Sequence, residues 1–215
     1  MAGQHCDHQK LARVQGARVV IFSNLISPLR TQMQLDYPSY SYITTATLAA
    51  QITDHIRQIL GELSKLTITD MTAGVGGNSL DFACHFKLVH CIELDRLRFG
   101  YLVSNLRTAG LIHRTICYQT DSLPFIMKGI CQQDVIFFDP PWGGSGYKRE
   151  ARLRLQFSGL PLELVCSNLL QHCRLLAVKL PSNYDHTHWS RYMGEVAITT
   201  INLTSFQLLL VPGGL

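Results

Sequence analysis

No apolar stretch of this 215-residue chain approaches the length of a membrane span: the runs at residues 19–22 and 208–211 are a fraction of the roughly 20 residues a spanning helix needs. The first residues show no charged-then-apolar leader pattern, so the expected setting is intracellular, nucleus or cytoplasm, with no membrane partner. Charge is also sparse, at 16% of residues. Nineteen Lys plus Arg against fifteen Asp plus Glu leave +4, and no Lys/Arg cluster forms a basic tail. That permits an anionic partner without demanding one. Seven cysteines, an odd number, form no CxxC pair, which argues against a disulfide framework and a zinc ribbon and for reduced core thiols. "HCDH" at residues 5–8 has no partner cluster downstream, so it reads as part of a terminal segment and no metal is expected.

Hydrophobic residues make up 47% of the chain, enough for one well-buried core. From residue 66 onward, strand-like runs at 66–71, 88–94, 115–118, 134–138 and 175–180 alternate with helix-period segments at 78–86, 96–109 and 160–172. Such alternation predicts βαβ units and a parallel sheet covered on both faces. The tail differs. Residues 195–203 and 205–211 are two strand-like runs with a short connection, suited to a terminal antiparallel pair. Ahead of the sheet, residues 1–65 read as an extension and 66–215 as the main domain. Thr44 or Thr45 caps a helix over 46–60 that Gly61 closes. "YPSYSY" at 37–42 reads as a loop, carrying aromatic platforms or serving as a packed linker.

"TDMTAGVGGNSL" at 69–80 follows the first strand and opens a helix. Gly74, Gly76 and Gly77 permit a tight turn and close approach of a ligand to backbone amides. Neither GxGxxG spacing nor a phosphate-loop lysine is present, so a triphosphate cradle is excluded. Glu93 ends the second strand, where a carboxylate can accept ribose hydroxyls. Asp95 reads as the cap of the next helix. Asp121 ends the third strand, from which it can accept from an adenine amino group or cap a helix.

"FFDPPWGGSGYK" at 137–148 carries the chemistry. Pro140 and Pro141 remove two amide donors and stop the strand, which leaves Asp139 at its carboxyl tip. In an open α/β sheet, ligands bind at that edge.

Glycine turn, strand-end acids and "DPPW" in this order resemble class I S-adenosylmethionine methyltransferases of exocyclic amines. "GVGGN" at 74–78 with "DPPWGG" at 139–144 is similar to the RNA cap guanine-N2 methyltransferases, the trimethylguanosine synthases. The likeness extends to "LDYPSYSYITTAT" at 35–47 and "KLPSNYD" at 179–185. Two positions depart: the usual Thr-Pro-Glu reads Thr44-Thr45-Ala46, and Asp139 stands where many members carry Ser. The resemblance implies a Rossmann-like class I methyltransferase, α/β, with a seven-stranded mostly parallel sheet, a terminal antiparallel strand and helices on both faces. It implies S-adenosyl-L-methionine as cofactor, held by Asp70, Thr72, Gly74, Gly76, Gly77 and Asn78. Glu93, Asp121, Ser122, Asp139 and Thr44 complete that set. Asp139, Pro140 and Trp142 would be catalytic. Trp142, Tyr147, Lys148, Pro181 and Asn183 would meet a substrate, the 7-methylguanosine cap of an RNA.

The residue types suit that reaction. An aromatic amine is a poor nucleophile, and Asp139 with the Pro140 carbonyl can each accept one of its hydrogens and orient the lone pair. Trp142 can stack on the base, gaining cation–π attraction from a cationic ring. An adenine-N6 or cytosine-N4 methylase of DNA or RNA also fits DPPW. An inactive fold serving as an RNA-binding subunit is the further alternative.

Overall fold

A computed structural model of the chain describes residues 20–215; "HCDH" lies outside the described residues. The elements before the sheet are α1 (Ser27–Gln32), α2 (Tyr37–Tyr40) and α3 (Ala46–Leu60). Helix α3 buries Ala49, Ile52, Thr53 and Ile56, positions three and four apart on one face. It ends at Gly61, whose φ of 78° only glycine adopts freely and whose N–H donates to the Arg57 carbonyl at 2.8 Å. "YPSYSY" is not a loop throughout. Asp36 accepts from the Ser39 N–H at 3.1 Å, and Pro38 sits in the first turn, so a short helix forms there.

The sheet strands are β1 (Thr67–Asp70), β2 (Leu88–Glu93), β3 (Thr115–Gln119), β4 (Val135–Phe138), β7 (Leu175–Pro181), β8 (Thr199–Asn202) and β9 (Phe206–Pro212), with a separate hairpin of β5 (Gln156–Phe157) and β6 (Leu160–Pro161). The sheet order is β3-β2-β1-β4-β7-β9-β8. β1 pairs in parallel with both β2 and β4, and β4 with β7. The last strand, β9, runs antiparallel and inserts between β7 and β8. Between strands lie α4 (Gly77–His85), α5 (Arg96–Thr108), α6 (Ser122–Met127), α7 (Leu162–Leu169) and α8 (Trp189–Met193). The segment expected as one helix over 160–172 is divided. Ser158 at φ 51° and Gly159 at φ 78° turn the chain into the β5–β6 hairpin, so α7 starts only after Pro161.

Both sheet faces are covered, which explains the unbroken apolar run of β4. Phe137 packs edge-to-face on Phe82 of α4, with centroids 5.1 Å apart. Its neighbour Phe138 points to the other face and meets Phe157 at 4.9 Å. Phe82, Phe137 and Phe138 are fully buried, and each such ring contributes roughly 1.5–3 kcal/mol. Ile21, Phe22, Met33, Ile52 and Ile56 belong to the same core as Ile68 and Phe137, so residues 20–65 pack into the sheet's own core. That packing delivers Thr44 to the sheet edge.

Candidate active site

The turn after β1 is shaped by left-handed backbone at Gly74 (φ 56°) and Gly76 (φ 100°), the latter capping α4. Glu93 braces it. One carboxylate oxygen accepts from the Gly74 N–H at 2.8 Å and the other from the Asp95 N–H at 2.7 Å. The residue expected to meet ribose therefore also fixes the glycine turn. Asp95 caps α5 through Arg98 N–H at 2.9 Å. Asp121 caps α6, accepting from the Leu123 N–H at 3.2 Å, and Ser122 beside it is buried. Gly77 has a further reason to lack a side chain. A Cβ there would lie 2.7 Å from Ile43 Cγ1 and 2.8 Å from the Thr44 carbonyl oxygen, so its missing side chain admits the protein's own N-terminal segment.

Asp70, at the end of β1, is buried. Its Oδ2 accepts from the Ser79 hydroxyl at 2.6 Å while Oδ1 has no hydrogen-bond partner among the described residues. Burial pushes its pKa up to about 7, against the pull of the Ser79 bond. Asn78 donates to Thr44 Oγ1 at 3.1 Å and likewise leaves its own Oδ1 buried without a partner among the described residues. Two orphaned acceptors beside a braced glycine turn suit a ligand that brings its own donors, such as an ammonium.

At the tip of β4, the Asp139 N–H donates to Thr72 Oγ1 at 3.0 Å, so Thr72 positions Asp139. Asp139 Oδ2 accepts from Lys179 Nζ at 2.7 Å. The same Nζ donates to Thr44 Oγ1 at 2.8 Å. Burial raises the Asp139 pKa, and the Lys179 ammonium opposes that shift. Lys179 is only 5% exposed and lies over the rings of Trp142 at 5.2 Å and Phe206 at 5.1 Å. Sequence reasoning missed it. The available signal was a lysine inside an otherwise apolar strand, "LLAVKLP".

Trp142 is half-buried, with the Tyr147 ring edge-on at 5.2 Å and an indole N–H that has no partner among the described residues. Pro140 and Pro181 are buried at the tips of β4 and β7. Asn183, expected to wall a base pocket, donates through Nδ2 to the carbonyls of Tyr147 at 2.8 Å and Glu150 at 2.7 Å and clamps that loop. Lys148 is exposed, its ammonium 5.8 Å from the Tyr147 centroid.

The fold is shared with solved methyltransferases. A methyltransferase from Geobacter sulfurreducens superposes with a TM-score of 0.57 at 16% identity, covering 80% of this chain and 81% of the other. A SAM-dependent methyltransferase from Neisseria gonorrhoeae gives 0.52 at 18% identity, covering 78% and 72%. By sequence, the chain is 33% identical to the uncharacterized protein L320 of Acanthamoeba polyphaga mimivirus, over 94% of this chain and 88% of that one. It is 25% identical to the trimethylguanosine synthase of Schizosaccharomyces pombe, over 58% of this chain and 52% of that one. The family model described as RNA cap guanine-N2 methyltransferase matches residues 65–208. The protein is an S-adenosylmethionine-dependent methyltransferase. With its glycine turn, its DPPW tip and this match over most of the sheet domain, the chain belongs to the RNA cap guanine-N2 methyltransferase family.

Proposed function

We propose that this chain transfers a methyl group to the exocyclic N2 amine of the 7-methylguanosine cap of an RNA. The observation that carries the reading is the arrangement of Asp139, Pro140 and Trp142 at one strand tip, in a chain of this family. S-adenosylmethionine supplies a methyl group already activated on a sulfonium, and no metal is required for that. Asp70 and Asn78, with their unpartnered oxygens, and the turn at Gly74 and Gly76 would hold it, with Glu93 and Asp121 on its nucleoside part. Asp139 has Oδ2 on Lys179, so Oδ1 is the oxygen assigned to one amine hydrogen. Pro140, whose ring fixes its backbone, offers a rigid carbonyl for the second. Together they turn the nitrogen lone pair outward and stabilise the positive charge that develops on it. Trp142 supplies a face for the base, and the amine hydrogen released after transfer passes to Asp139 or water. Residues 1–65 act with 66–215 as one enzyme, with Thr44 as the contact to the reacting edge.

One observation favours a second reading, an adenine-N6 or cytosine-N4 methylase. The Lys179 ammonium already lies over Trp142, which weakens the attraction that ring has left for a cationic base. The deciding experiment offers labelled cofactor with 7-methylguanosine cap analogue, unmethylated cap analogue and adenine-containing oligonucleotides, then identifies the methylated atom. Label at N2 of the 7-methylguanosine analogue is the expected result. Label at adenine N6 replaces this proposal with the second reading.

A further inference from the structure

Lys179 sits where the surrounding chain is apolar. All seven residues of β7 are buried, and the register places Lys179 opposite Leu208 of β9. Its ammonium meets groups from separate parts of the fold: Asp139 at the tip of β4, Thr44 ahead of α3, and the rings of Trp142 after β4 and Phe206 of β9. A buried ion pair is a poor device for stability, because apolar residues of similar volume at such sites are usually as good or better. Its value must lie elsewhere, in what it does to the carboxylate.

We propose that Lys179 is a positioning residue of the methyl transfer: it holds Asp139 as an oriented carboxylate and, through Thr44, locks the N-terminal segment onto the reacting edge of the sheet. This rests on Asp139 being the acceptor of the amine hydrogen. A carboxylate accepts hydrogens from an amine, whereas a carboxylic acid would present a competing donor at the same place. Among the described residues, the charged groups that interact with Asp139 are Lys179 from β7 and Asp70 from β1, whose pKa Asp139 itself helps to raise. Thr44 and Phe206, from the other packed segments, carry no charge. Lys179 is therefore the group that offsets the burial of Asp139. Asn78 donates to the same Thr44 oxygen, so one hydroxyl joins the glycine-turn helix to the Lys179–Asp139 pair.

The test has a structural arm and a kinetic arm. In ligand-free protein labelled with ¹³C at aspartate carboxyls, the Asp139 signal is assigned with Asp139→Asn and followed against pH in wild type, Lys179→Gln and Lys179→Arg. The midpoint is expected to rise by about one unit or more in Lys179→Gln and to stay near wild type in Lys179→Arg. In the kinetic arm, Lys179→Gln should lose about tenfold or more in kcat at neutral pH, with its acid limb moved upward and cofactor affinity by calorimetry within about threefold of wild type. Lys179→Arg should recover most of the rate. An unmoved Asp139 midpoint in folded Lys179→Gln overturns the proposal. If Lys179→Gln does not fold, Lys179→Met with Asp139→Asn should restore folding and cofactor binding, and failure of that pair to do so overturns it equally. Should wild type methylate no amine at all, the functional reading fails, and the carboxyl titration still decides whether Lys179 governs Asp139.

Discussion

Gly77 and Ile43 approach so closely that a Cβ on the glycine would lie 2.7 Å from Ile43 Cγ1 and 2.8 Å from the Thr44 carbonyl oxygen. Ile43 can give way, but the Thr44 backbone cannot do so without moving the hydroxyl that holds Lys179 and Asn78. Gly77→Ala is therefore expected to destabilise the protein by about 1–3 kcal/mol, as overpacking of a closed interface does. Denaturant midpoints check this, and the companion calorimetry should show weaker cofactor binding. Unchanged stability and affinity would show that the N-terminal segment does not depend on this contact.

Asp70 gives a pH dependence with a definite sign. Its folded pKa, about 7, lies above its ordinary value of 3.8, so between those limits the folded state holds a proton that the unfolded state has released. Its contribution to stability is complete below pH 3.8 and is lost as pH rises through 7, by at most about 4 kcal/mol at about 1.4 kcal/mol per unit. Asp70→Asn should flatten that slope in ligand-free protein. Because the cofactor's ammonium favours the ionised carboxylate, affinity for S-adenosylmethionine should rise with pH and level off above about 7. A pH-independent affinity would remove Asp70 from the ammonium site.

Replacing Asp139 separates chemistry from cofactor binding. Asp139→Asn keeps the shape while removing the charge, and is expected to lower kcat by about 10²-fold or more with cofactor affinity retained. Asp139→Ala is a harsher probe, since it leaves Lys179 buried and unpaired, a change that typically costs about 3–5 kcal/mol. Asp139→Ser should retain some turnover. Wild-type rates in folded Asp139→Asn would rule out the assigned role.

Trp142 is expected to discriminate between a cationic and a neutral base. Affinity for 7-methylguanosine over guanosine cap analogue should fall from wild type to Trp142→Phe and further to Trp142→Ala. With Lys179 already over the indole, the wild-type preference is expected near the low end of the cation–π range, about 0.5–1 kcal/mol. Equal affinity for the two analogues in wild type would end the cap reading of this ring.

Clamping of the loop by Asn183 leads to a milder expectation. Asn183→Ala frees the Tyr147 and Glu150 carbonyls and should raise KM for the base more than it lowers kcat. A fall in kcat with KM unchanged would place Asn183 in the reaction itself.

The seven sheet strands and the helices α4 and α5 were readable because their signals are local, whereas the short α6 and α8 and the β5–β6 hairpin were not anticipated. β4 needs only four consecutive buried apolar residues stopped by two prolines, and Asp95 needs only the N–H three residues on to act as a cap. The glycine turn and DPPW were equally visible as short strings. "YPSYSY" and the 160–172 segment went differently, because each is governed by one local competitor: the Asp36 cap in the first, and the Ser158–Gly159 turn in the second.

Periodicity, turn chemistry and residue type were thus enough to set the fold class and to bring Asp139, Pro140 and Trp142 to one strand tip. They could not reveal that Lys179, forty residues from Asp139 and 135 from Thr44, joins both. Nor could they show that Gly77 makes room for Ile43, or that Glu93 braces Gly74. The reason is physical. Backbone periodicity is fixed by neighbours within a turn or two, whereas a buried polar group's partner exists only after the sheet has closed and brought distant strand tips together.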